Sequence, residues 1–398
     1  MKKIIVILFG LIAMLNFNSC QNDNVLMEIL KKNNELNFVL ENKDKFELQI
    51  LYTKVDREDN GKTSFKTYSY NKKPDKYFYP ASTVKFPAAI LALEKLNDLN
   101  IKGVNKFTHL SIDSVYEGHV FFDRDFQDEC GYPCIANYIK QIFIVSDNEA
   151  FNRLYDFLGQ KEINERLRKK GFNNSKIIHR LSVARTPRQN METNPIKFYN
   201  EAGNILYEQP ARIESTDVEL NLQGTLKGVG YYSNGELINE PKDFSLNNYF
   251  SLRDQQELLM RIFYPEQFDE FERFNLTEDD YIFLRKYMSM LPKESECPKY
   301  SYDKYYDGYV KFLMFGDTKE KIPSNIKIYS KSGLAYGYLI DNAYIVDEQN
   351  GFEFFLSATV HVNENQIYND DNYEYDEIGL PFLAKLGKAI YNYELNLK

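Results

Sequence analysis

Strand-type hydrophobic patterns lie near both ends of the 398-residue chain, whereas helical patterns fill its middle. Alternating apolar residues predict an N-terminal hairpin with strands at 46–55 and 63–70 and a turn at Asp59-Asn60-Gly61. Three more strands are predicted at 327–332, 339–346 and 352–361. One antiparallel sheet built from both termini, with a helical lobe inserted between them, accounts for this order. The predicted fold class is therefore α+β, a mixed α/β sandwich.

Helical periodicity predicts the helices of the chain, and glycine content indicates a segment of irregular structure. Helices are predicted at 25–40, 86–99, 137–171, 254–263, 278–291 and 380–393. The glycine-bearing segment 195–250 has few clear periods and is predicted to be an irregular or partly stranded insertion. Residues 368–377 are acidic and tyrosine-rich, and a solvated surface loop is predicted there. We predict a sheet lobe formed by 21–80 and 320–398, and a helical lobe at 81–319 that includes the insertion.

The N-terminus has the pattern of a secretory signal. Lys2 and Lys3 precede an apolar stretch at 4–17 that is too short to span a bilayer comfortably. Ser19 stands directly before Cys20, which resembles a bacterial lipobox. We therefore predict a lipoprotein signal peptide at 1–20 and lipidation of Cys20. The protein would be exported and lipid-anchored in the cell envelope, facing the periplasm or the surface. The alternative is an ordinary signal peptide with cleavage elsewhere.

Charge and cysteine usage restrict the function classes further. The formal net charge of −9 argues against binding to nucleic acid, whose phosphates would be repelled. Export places Cys130, Cys134 and Cys297 in an oxidising compartment, where three thiols cannot all pair with one another. Cys130-Gly-Tyr-Pro-Cys134 spans a turn, so a small-loop disulfide between these two cysteines is one candidate pairing. The four histidines are scattered, and we predict no metal site and no cofactor.

The first chemical motif is Ser82-Thr83-Val84-Lys85, at the start of the apolar helix predicted at 86–99. Ser-x-x-Lys also occurs at Ser69, Ser301 and Ser324. Ser69 and Ser324 lie in or beside predicted strands, where residues i and i+3 face opposite ways. In a helix these positions share a face, so the Lys85 amine can reach the Ser82 hydroxyl. The alternative role for Ser82 is a helix N-cap.

Two further motifs follow along the chain. Ser146-Asp147-Asn148 lies in helical surroundings, and its alternative role is a helix cap. Lys331-Ser332-Gly333 ends a predicted strand, and its alternative role is a strand end with a turn glycine. In this order the three motifs resemble the S-x-x-K, S-D-N and K-T-G signature of the serine β-lactamase and penicillin-binding-protein superfamily. Class A β-lactamases are the most similar, which implies a β-lactamase/transpeptidase-like fold.

The resemblance implies a catalytic role for Ser82, Lys85, Ser146 and Lys331. Ser82 would be the nucleophile that forms the acyl-enzyme, and Lys85 would be its base. Burial and the nearby cation Lys331 would lower the pKa of Lys85 and so keep it partly neutral. Ser146 would relay a proton to the departing nitrogen.

The resemblance also implies how the substrate is held. Asn148 would hydrogen-bond the substrate's side-chain amide, while Lys331 and Ser332 would hold its carboxylate. The backbone N–H groups of the nucleophile and of Leu334, which follows Gly333, would form the oxyanion hole.

The sequence departs from class A enzymes where a glutamate would hydrolyse the acyl-enzyme. Counting on from His179-Arg180-Leu181-Ser182, the expected glutamate position falls near Arg185, whose guanidinium stays protonated and cannot act as a base. Glu192 is the nearest substitute, although an ordinary surface role is favoured for it. Without such a base we expect acylation with slow turnover, which is typical of penicillin-binding proteins.

The leading hypothesis is a class A β-lactamase-like serine hydrolase that contributes to antibiotic resistance. Its expected ligand is a β-lactam or a peptidoglycan-derived small molecule, and the expected state is a monomer. The first alternative is a D-Ala-D-Ala peptidase or esterase of the same fold with slow β-lactam turnover. The second is a non-catalytic envelope lipoprotein. The joint presence of Ser82, Lys85, Ser146 and Lys331 argues against this second alternative.

Overall fold

The computed structural model describes residues 23–57, 62–119, 121 and 130–397. The predicted signal peptide with Cys20 and the predicted hairpin turn at Asp59-Asn60-Gly61 lie outside the described residues. Within the described part of the chain, none of the helices is both long enough and apolar enough to cross a membrane.

Helices predominate in the middle of the chain, and the long strands lie towards its two ends. The helices are α1 (Asp23–Lys31), α2 (Asn37–Glu41), α3 (Lys85–Leu99), α4 (Ile135–Val145), α5 (Asn148–Leu158), α6 (Gln160–Lys169), α7 (Pro187–Met191), α8 (Leu252–Phe263), α9 (Glu278–Ser289), α10 (Phe312–Phe315) and α11 (Leu380–Leu395). The strands are β1 (Gln49–Arg57), β2 (Thr63–Tyr70), β3 (Leu110–Ile112), β4 (Ser175–Lys176), β5 (Glu192–Thr193), β6 (Ile196–Tyr199), β7 (Ile205–Gln209), β8 (Arg212–Ile213), β9 (Leu226–Lys227), β10 (Gly230–Ser233), β11 (Glu236–Ile238), β12 (Lys242–Asp243), β13 (Tyr249–Phe250), β14 (Ile326–Ser330), β15 (Gly333–Ala335), β16 (Tyr338–Asp347), β17 (Phe352–His361) and β18 (Ile367–Tyr368).

The long strands form one antiparallel sheet in the order β14, β16, β17, β1, β2, with β15 also paired to β16. The N-terminal strand β1 lies between its hairpin partner β2 and the C-terminal strand β17. Ile50 stands opposite Tyr70 on one side and opposite Ala358 on the other. The predicted sheet built from both ends of the chain is therefore confirmed.

Both faces of this sheet are covered, because neighbouring residues of its central strands point into two different apolar clusters. On β17, Phe355 packs with residues of the helical lobe, including those of α3, α4 and α5. Its neighbours Phe354 and Leu356 pack instead with α1 and α11 on the opposite face. Full burial of each such side chain contributes roughly 1.5–3 kcal/mol to folding. The sheet is the middle layer of a sandwich, which confirms the predicted α+β fold class.

Two predicted helical segments are divided in the structure. The segment 25–40 breaks at Asn33, whose φ of −112° and ψ of 87° are not helical, and continues through a 3-10 turn into α2. The segment 137–171 contains α4, α5 and α6. Helix α4 ends at Ser146, which has a left-handed φ of +59°. Asp147 then caps α5 by accepting a hydrogen bond from Ala150 N at 2.7 Å. The capping role considered for this motif is therefore real for Asp147.

The insertion at 195–250 consists of short strands and irregular connections. Strands β10 and β11 form a hairpin, and β10 pairs in parallel with β18, so that Gly230 stands opposite Ile367. The backbone N–H of Val229 also donates to Gln366 O at 2.9 Å. The insertion thus contacts the chain where the tyrosine-rich segment 368–377 begins.

A disulfide joins Cys130 to Cys297, with the two Cα atoms 5.3 Å apart. The candidate pairing of Cys130 with Cys134 is therefore wrong. Cys134 lies at the start of α4, and its side chain is buried in the apolar cluster of the helical lobe. The bridge instead connects the entry to α4 with the segment after α9, across a separation of 167 residues. Sequence spacing could not reveal this contact.

Candidate active site

Ser82 lies on a short 3-10 turn, Ala81–Val84, that runs directly into α3. Ala81 has a φ of +48°, so the backbone turns sharply just before the serine. Strand β15 passes close to this turn. A β-carbon at Gly333 would lie 2.8 Å from Ser82 N and 2.9 Å from Pro80 O. Glycine is required at this position because any side chain would push the strand away from the serine.

The side-chain amine of Lys85 is the centre of the hydrogen-bond network around the serine. Its Nζ lies 2.8 Å from Ser82 Oγ, as the shared helix face of positions i and i+3 predicts. The same Nζ lies 2.5 Å from Ser146 O and 2.6 Å from Asn148 Oδ1. The Lys85 side chain has no exposed surface. The first two motifs therefore meet at one buried amine.

The Ser146 hydroxyl connects this amine to the third motif. Ser146 Oγ lies 3.3 Å from Lys85 Nζ and 2.8 Å from Lys331 Nζ. Lys331 also donates to the carbonyl of Ser332 at 2.7 Å, and only 2% of its surface is exposed. All four residues expected to be catalytic thus lie in one continuous network.

Burial lowers the pKa of both lysines in this network. Desolvation brings the pKa of Lys85 to about 7, although the carboxylate of Asp147 opposes the shift. The pKa of Lys331 lies well below its usual value, first because the amine is buried and next because the Lys85 charge is near, with Asp341 acting in the opposite direction. A lysine with a pKa near 7 is partly neutral at physiological pH and can accept a proton.

Asn148 uses both ends of its side-chain amide within the protein. Its Oδ1 accepts from Lys85, and its Nδ2 donates to Ser182 Oγ at 2.7 Å. Ser182 also has a left-handed φ of +54°, which turns the chain towards Asn148. Sequence reasoning had not singled out Ser182 for a role in the site. A substrate amide would have to share or replace the Asn148–Ser182 hydrogen bond.

The third motif lies beside Ser82, but the Ser332 hydroxyl does not take the role that the resemblance implies. Leu334 lines the same cavity as Ser82 and is 40% exposed. The hydroxyl of Ser332 instead donates to Val310 O at 3.1 Å, and the residue is buried. The contact of this hydroxyl with a substrate carboxylate, implied by the resemblance, is thus not available in this conformation.

A cavity of about 360 Å³ opens next to Ser82. Aromatic side chains form much of its lining, and they come from several parts of the chain: Tyr79, Tyr336, Tyr373 and Tyr375. The prediction of a solvated loop at 368–377 is therefore wrong for its tyrosines, although Asp371 within it is exposed. The only signal in the sequence was the three tyrosines within ten residues. The direction of Tyr373 and Tyr375 towards the cavity could not be inferred from it.

The structure places both residues considered for deacylation elsewhere. The Glu192 carboxylate lies 3.7 Å from His119 Nε2 and 3.7 Å from Arg188 Nε, and Glu192 does not line the cavity. The Arg185 guanidinium donates to the backbone carbonyl of Gly118. The described cavity lining includes Ser82, Asn148 and Ser182, and its one carboxylate is that of Asp371.

A second cleft of about 900 Å³ contains none of the motif residues. Its charged side chains neutralise one another: Arg166 pairs with Asp98 at 2.6 Å, and Lys170 pairs with Glu94 at 2.8 Å. The smaller cavity is therefore the better candidate for chemistry. In the described ranges, no three His, Cys, Asp or Glu side chains are grouped in a way that could hold a metal ion.

Comparison with known proteins gives a partial family match and a shared fold. The sequence model described as the beta-lactamase enzyme family matches residues 31–207, which include the Ser82 and Ser146 motifs but not Lys331. No match was found among curated proteins.

Solved structures resemble this chain at low sequence identity. PBP-A is 16% identical, with a TM-score of 0.50 over 94% of this chain and 96% of its own. A beta-lactamase from Burkholderia phymatum is 11% identical, with a TM-score of 0.48 over 92% of this chain and 98% of its own. A class A beta-lactamase from Clostridium kluyveri DSM 555 is 15% identical, with a TM-score of 0.44 over 94% and 98%. The similarity to PBP-A shows a shared fold.

Proposed function

We propose that the protein is an exported serine hydrolase whose Ser82 forms an acyl-enzyme with β-lactams, in the manner of class A β-lactamases. The observation that carries the proposal is the Lys85 amine, 2.8 Å from Ser82 Oγ and with a pKa lowered to about 7. A serine hydroxyl is a weak nucleophile unless such a base is within hydrogen-bond reach. The match of residues 31–207 to the beta-lactamase enzyme family supports the same reaction class.

The contacts of Lys85 explain how it would act as a base. A neutral lysine amine has two N–H donors and one lone pair. Ser146 O and Asn148 Oδ1 can each accept one N–H, which leaves the lone pair for the hydroxyl proton of Ser82. As Lys85 takes this proton, Ser82 Oγ attacks the carbonyl carbon. The oxyanion would be held by the backbone N–H groups of Ser82 and Leu334; losing one such donor typically costs about 10²–10³ in rate.

The Ser146 hydroxyl is suited to protonate the departing nitrogen. It lies between two amines, 3.3 Å from Lys85 Nζ and 2.8 Å from Lys331 Nζ. A proton gained by Lys85 can therefore reach the leaving nitrogen through Ser146 Oγ. Lys331 would stabilise the negative charge on Ser146 Oγ while this oxygen lacks its proton. A substrate carboxylate near Lys331 would raise the pKa of this amine and strengthen its charge.

The position of Glu192 favours a second candidate function, a D-Ala-D-Ala peptidase or esterase that β-lactams acylate and that hydrolyses the acyl-enzyme slowly. The specific observation is that Glu192 lies beside His119 and Arg188, away from the described cavity lining. In this position the Glu192 carboxylate would not activate a water molecule near Ser82. The acyl-enzyme would then persist, and transfer or slow release would replace rapid β-lactam turnover.

Export and lipid anchoring at Cys20 are part of the proposal. The basic and apolar pattern of 1–20 supports them. The Cys130–Cys297 disulfide independently supports export, because such bonds persist in oxidising compartments. Palmitate labelling of the expressed precursor and of a Cys20→Ser variant would test the anchor; label on the variant would exclude Cys20 as the lipidated residue.

The reaction is tested by intact mass spectrometry of the chain from residue 21 onward during incubation with benzylpenicillin and a chromogenic cephalosporin. We expect the mass to increase by one penicillin. A transient adduct with rapid cephalosporin hydrolysis would favour the β-lactamase, and a lasting adduct would favour the peptidase or esterase. If no adduct forms with either compound, the acylation mechanism is wrong and the non-catalytic alternative gains support.

A further inference from the structure

The cavity beside Ser82 has a lining in which Asn369 and Asp371 are exposed, and we call these two residues its open end. Asp371 is the only charged side chain that lines it within the described part of the chain. The lysines of the network, Lys85 and Lys331, are buried behind the serine and are not part of this lining. A ligand in the cavity therefore meets an exposed carboxylate at one end and no exposed ammonium or guanidinium group of the lining.

Four tyrosines line the same cavity as this carboxylate. The rings of Tyr373 and Tyr375 lie 5.3 Å apart between centroids, and those of Tyr79 and Tyr336 lie 4.9 Å apart. The π-face of a tyrosine is electron-rich and attracts a cation placed over it. Burial raises the pKa of Tyr375 and Tyr373, and the charge of Asp371 contributes to both shifts in the same direction, as does the charge of Asp370 for Tyr373.

Hydrogen bonds hold Tyr373 and Tyr375 in position, and we call these two tyrosines the aromatic wall. The phenol oxygen of Tyr375 accepts from Gly337 N at 2.8 Å, and that of Tyr373 accepts from Asn369 N at 2.8 Å. Asn369 in turn donates from its side chain to Tyr232 O at 3.0 Å. Tyr232 lies on β10, so the inserted hairpin supports the segment that carries the wall. The wall is thus preorganised before any ligand enters.

The position of the wall identifies which part of a substrate it would meet. Ser146 and Lys331 handle the departing nitrogen in the proposed reaction, and neither lines the cavity. Ser82 and Asn148 do line it. The cavity therefore receives the acyl side of the substrate, while the leaving group lies on the Ser146 side of the serine.

We propose that Asp371 and the tyrosines of the same cavity select acyl donors whose acyl side chain carries an ammonium group. This deepens the proposed function and rests on it, because the selection is measured through acylation of Ser82. An ammonium would gain attraction from both the carboxylate and the ring faces, whereas a carboxylate in the same place would be repelled. The shared chemistry covers amine-bearing peptides and amine-bearing β-lactams alike.

The test uses three penicillins that differ only at the end of a flexible acyl chain: 6-aminohexanoyl, heptanoyl and adipoyl derivatives of 6-aminopenicillanic acid. Their ends are a cation, a neutral methyl group and an anion at equal reach. We expect the second-order rate of adduct formation to be about 5-fold higher for the amine than for the neutral compound, and lower again for the acid.

Two variants assign the preference to Asp371. Asp371→Asn keeps the side-chain shape and tolerates the left-handed φ of +55° found at this residue. It should reduce the preference for the amine to less than about 2-fold while the heptanoyl compound reacts as before. Glu377→Gln removes the same charge from a nearby exposed residue outside the cavity lining, and should keep the full preference.

The outcomes separate this inference from the function on which it rests. Equal rates for the three penicillins in the wild-type protein, or a preference unchanged in Asp371→Asn, would overturn the ammonium selection. Absence of any adduct with all three compounds would instead overturn acylation at Ser82 itself.

Discussion

The reacting end of the site, which is the buried lysine network behind Ser82, and the open end of the cavity are built in opposite ways. At the reacting end, Lys85 and Lys331 are buried, and their hydrogen bonds go to oxygen atoms of the protein. At the open end, Asn369 and Asp371 are exposed on a segment whose backbone is left-handed at both positions. The first end comes from three sequence motifs, whereas the second depends on support from the inserted hairpin β10–β11.

The difference shows why reactivity and selectivity occupy separate parts of the site. Burial is the largest cause of the lowered pKa of Lys85, about 7, so this base is kept away from water. A group that recognises part of a substrate must remain accessible, and its electrostatic effect is then screened by water. Changes at the buried end should abolish the reaction, and changes at the open end should shift preference among substrates.

Removal of the nucleophile should have the largest effect. In Ser82→Ala we expect adduct formation with benzylpenicillin to fall by roughly 10⁴-fold or more, because no other group can form the acyl bond. Intact mass measures the adduct, and the melting temperature should stay close to that of the wild type. Ser69→Ala is the matched control, since Ser69 begins another Ser-x-x-Lys pattern but lies in β2. A labelled Ser82→Ala protein would mean that the nucleophile is misassigned.

Removal of the base should reduce the rate almost as much and change its pH dependence. The wild-type acylation rate should rise with pH through about 7 and level off above it, because Lys85 must lose its proton to act. Lys85→Met should lower the rate by about 10³-fold and eliminate this rise. Stopped-flow acylation between pH 5 and 9 measures both, and a wild-type rate that falls across this range would contradict the role of Lys85.

The same substitution should stabilise the fold at neutral pH. Unfolded lysine keeps its proton up to about pH 10.4, whereas folded Lys85 releases it near 7. Between these values the unfolded state binds more protons, so the contribution of Lys85 to stability rises with pH and is least favourable below 7. Lys85→Met should raise the free energy of unfolding by roughly 1–3 kcal/mol at pH 6, measured by urea denaturation.

Lys106 is a second buried lysine, and its pKa is shifted in the direction opposite to that of Lys85. It is also buried, but it pairs with Asp279 at 2.5 Å and Asp280 at 2.7 Å, and its pKa is raised even though burial, the largest single influence, acts to lower it. Lys106→Met should therefore lower the free energy of unfolding, because it removes the cation that pairs with the buried Asp280 carboxylate. If Lys85→Met and Lys106→Met changed the free energy of unfolding in the same direction, burial alone would not explain the lowered pKa of Lys85.

A smaller effect is expected from the support of the open end. A β-carbon at Gly228 would lie 2.3 Å from Gln366 O and 2.7 Å from the Tyr368 ring, so Gly228→Ala should displace the segment that carries Asp371. We expect the preference for the amine-bearing penicillin to fall about 3-fold and the free energy of unfolding to fall by about 1–3 kcal/mol. Gly224→Ala is the control, since its φ of +70° is close to the +72° of Gly228 and its β-carbon would meet open space. An equal effect of both variants would indicate backbone strain and exclude a role for the contact.

The smallest effect is expected at Glu192. Its carboxylate lies beside His119 and Arg188, away from the serine, so Glu192→Gln should change the rate of acyl-enzyme hydrolysis by less than about 2-fold. The decay of the penicillin adduct over time, followed by intact mass, measures this rate. A decrease of more than about 10-fold would identify Glu192 as the deacylating base and would require the segment around it to move.

Much of the sheet and of the reacting end could be predicted from the sequence. Strand β2 has the predicted bounds Thr63–Tyr70, because its exposure alternates along the strand. Strand β17 has the predicted bounds Phe352–His361 and is buried at every position but the last. The division of 25–40 into two helices was missed, since Asn33 gives a weaker break signal than glycine or proline. Ser182 and the cavity tyrosines were missed because a loop side chain has no periodicity that states its direction.

What the sequence determined by itself is local. The alternation of apolar residues defined the strands, and the i, i+3 spacing of Ser82 and Lys85 placed an amine near a hydroxyl, because both effects act within a few residues along the chain. The tertiary structure alone decided the Cys130–Cys297 bond, the pKa of Lys85 and the aromatic wall of the cavity. Each of these depends on how deeply a group is buried and which distant segment packs against it, and such contacts exist only after the chain has folded.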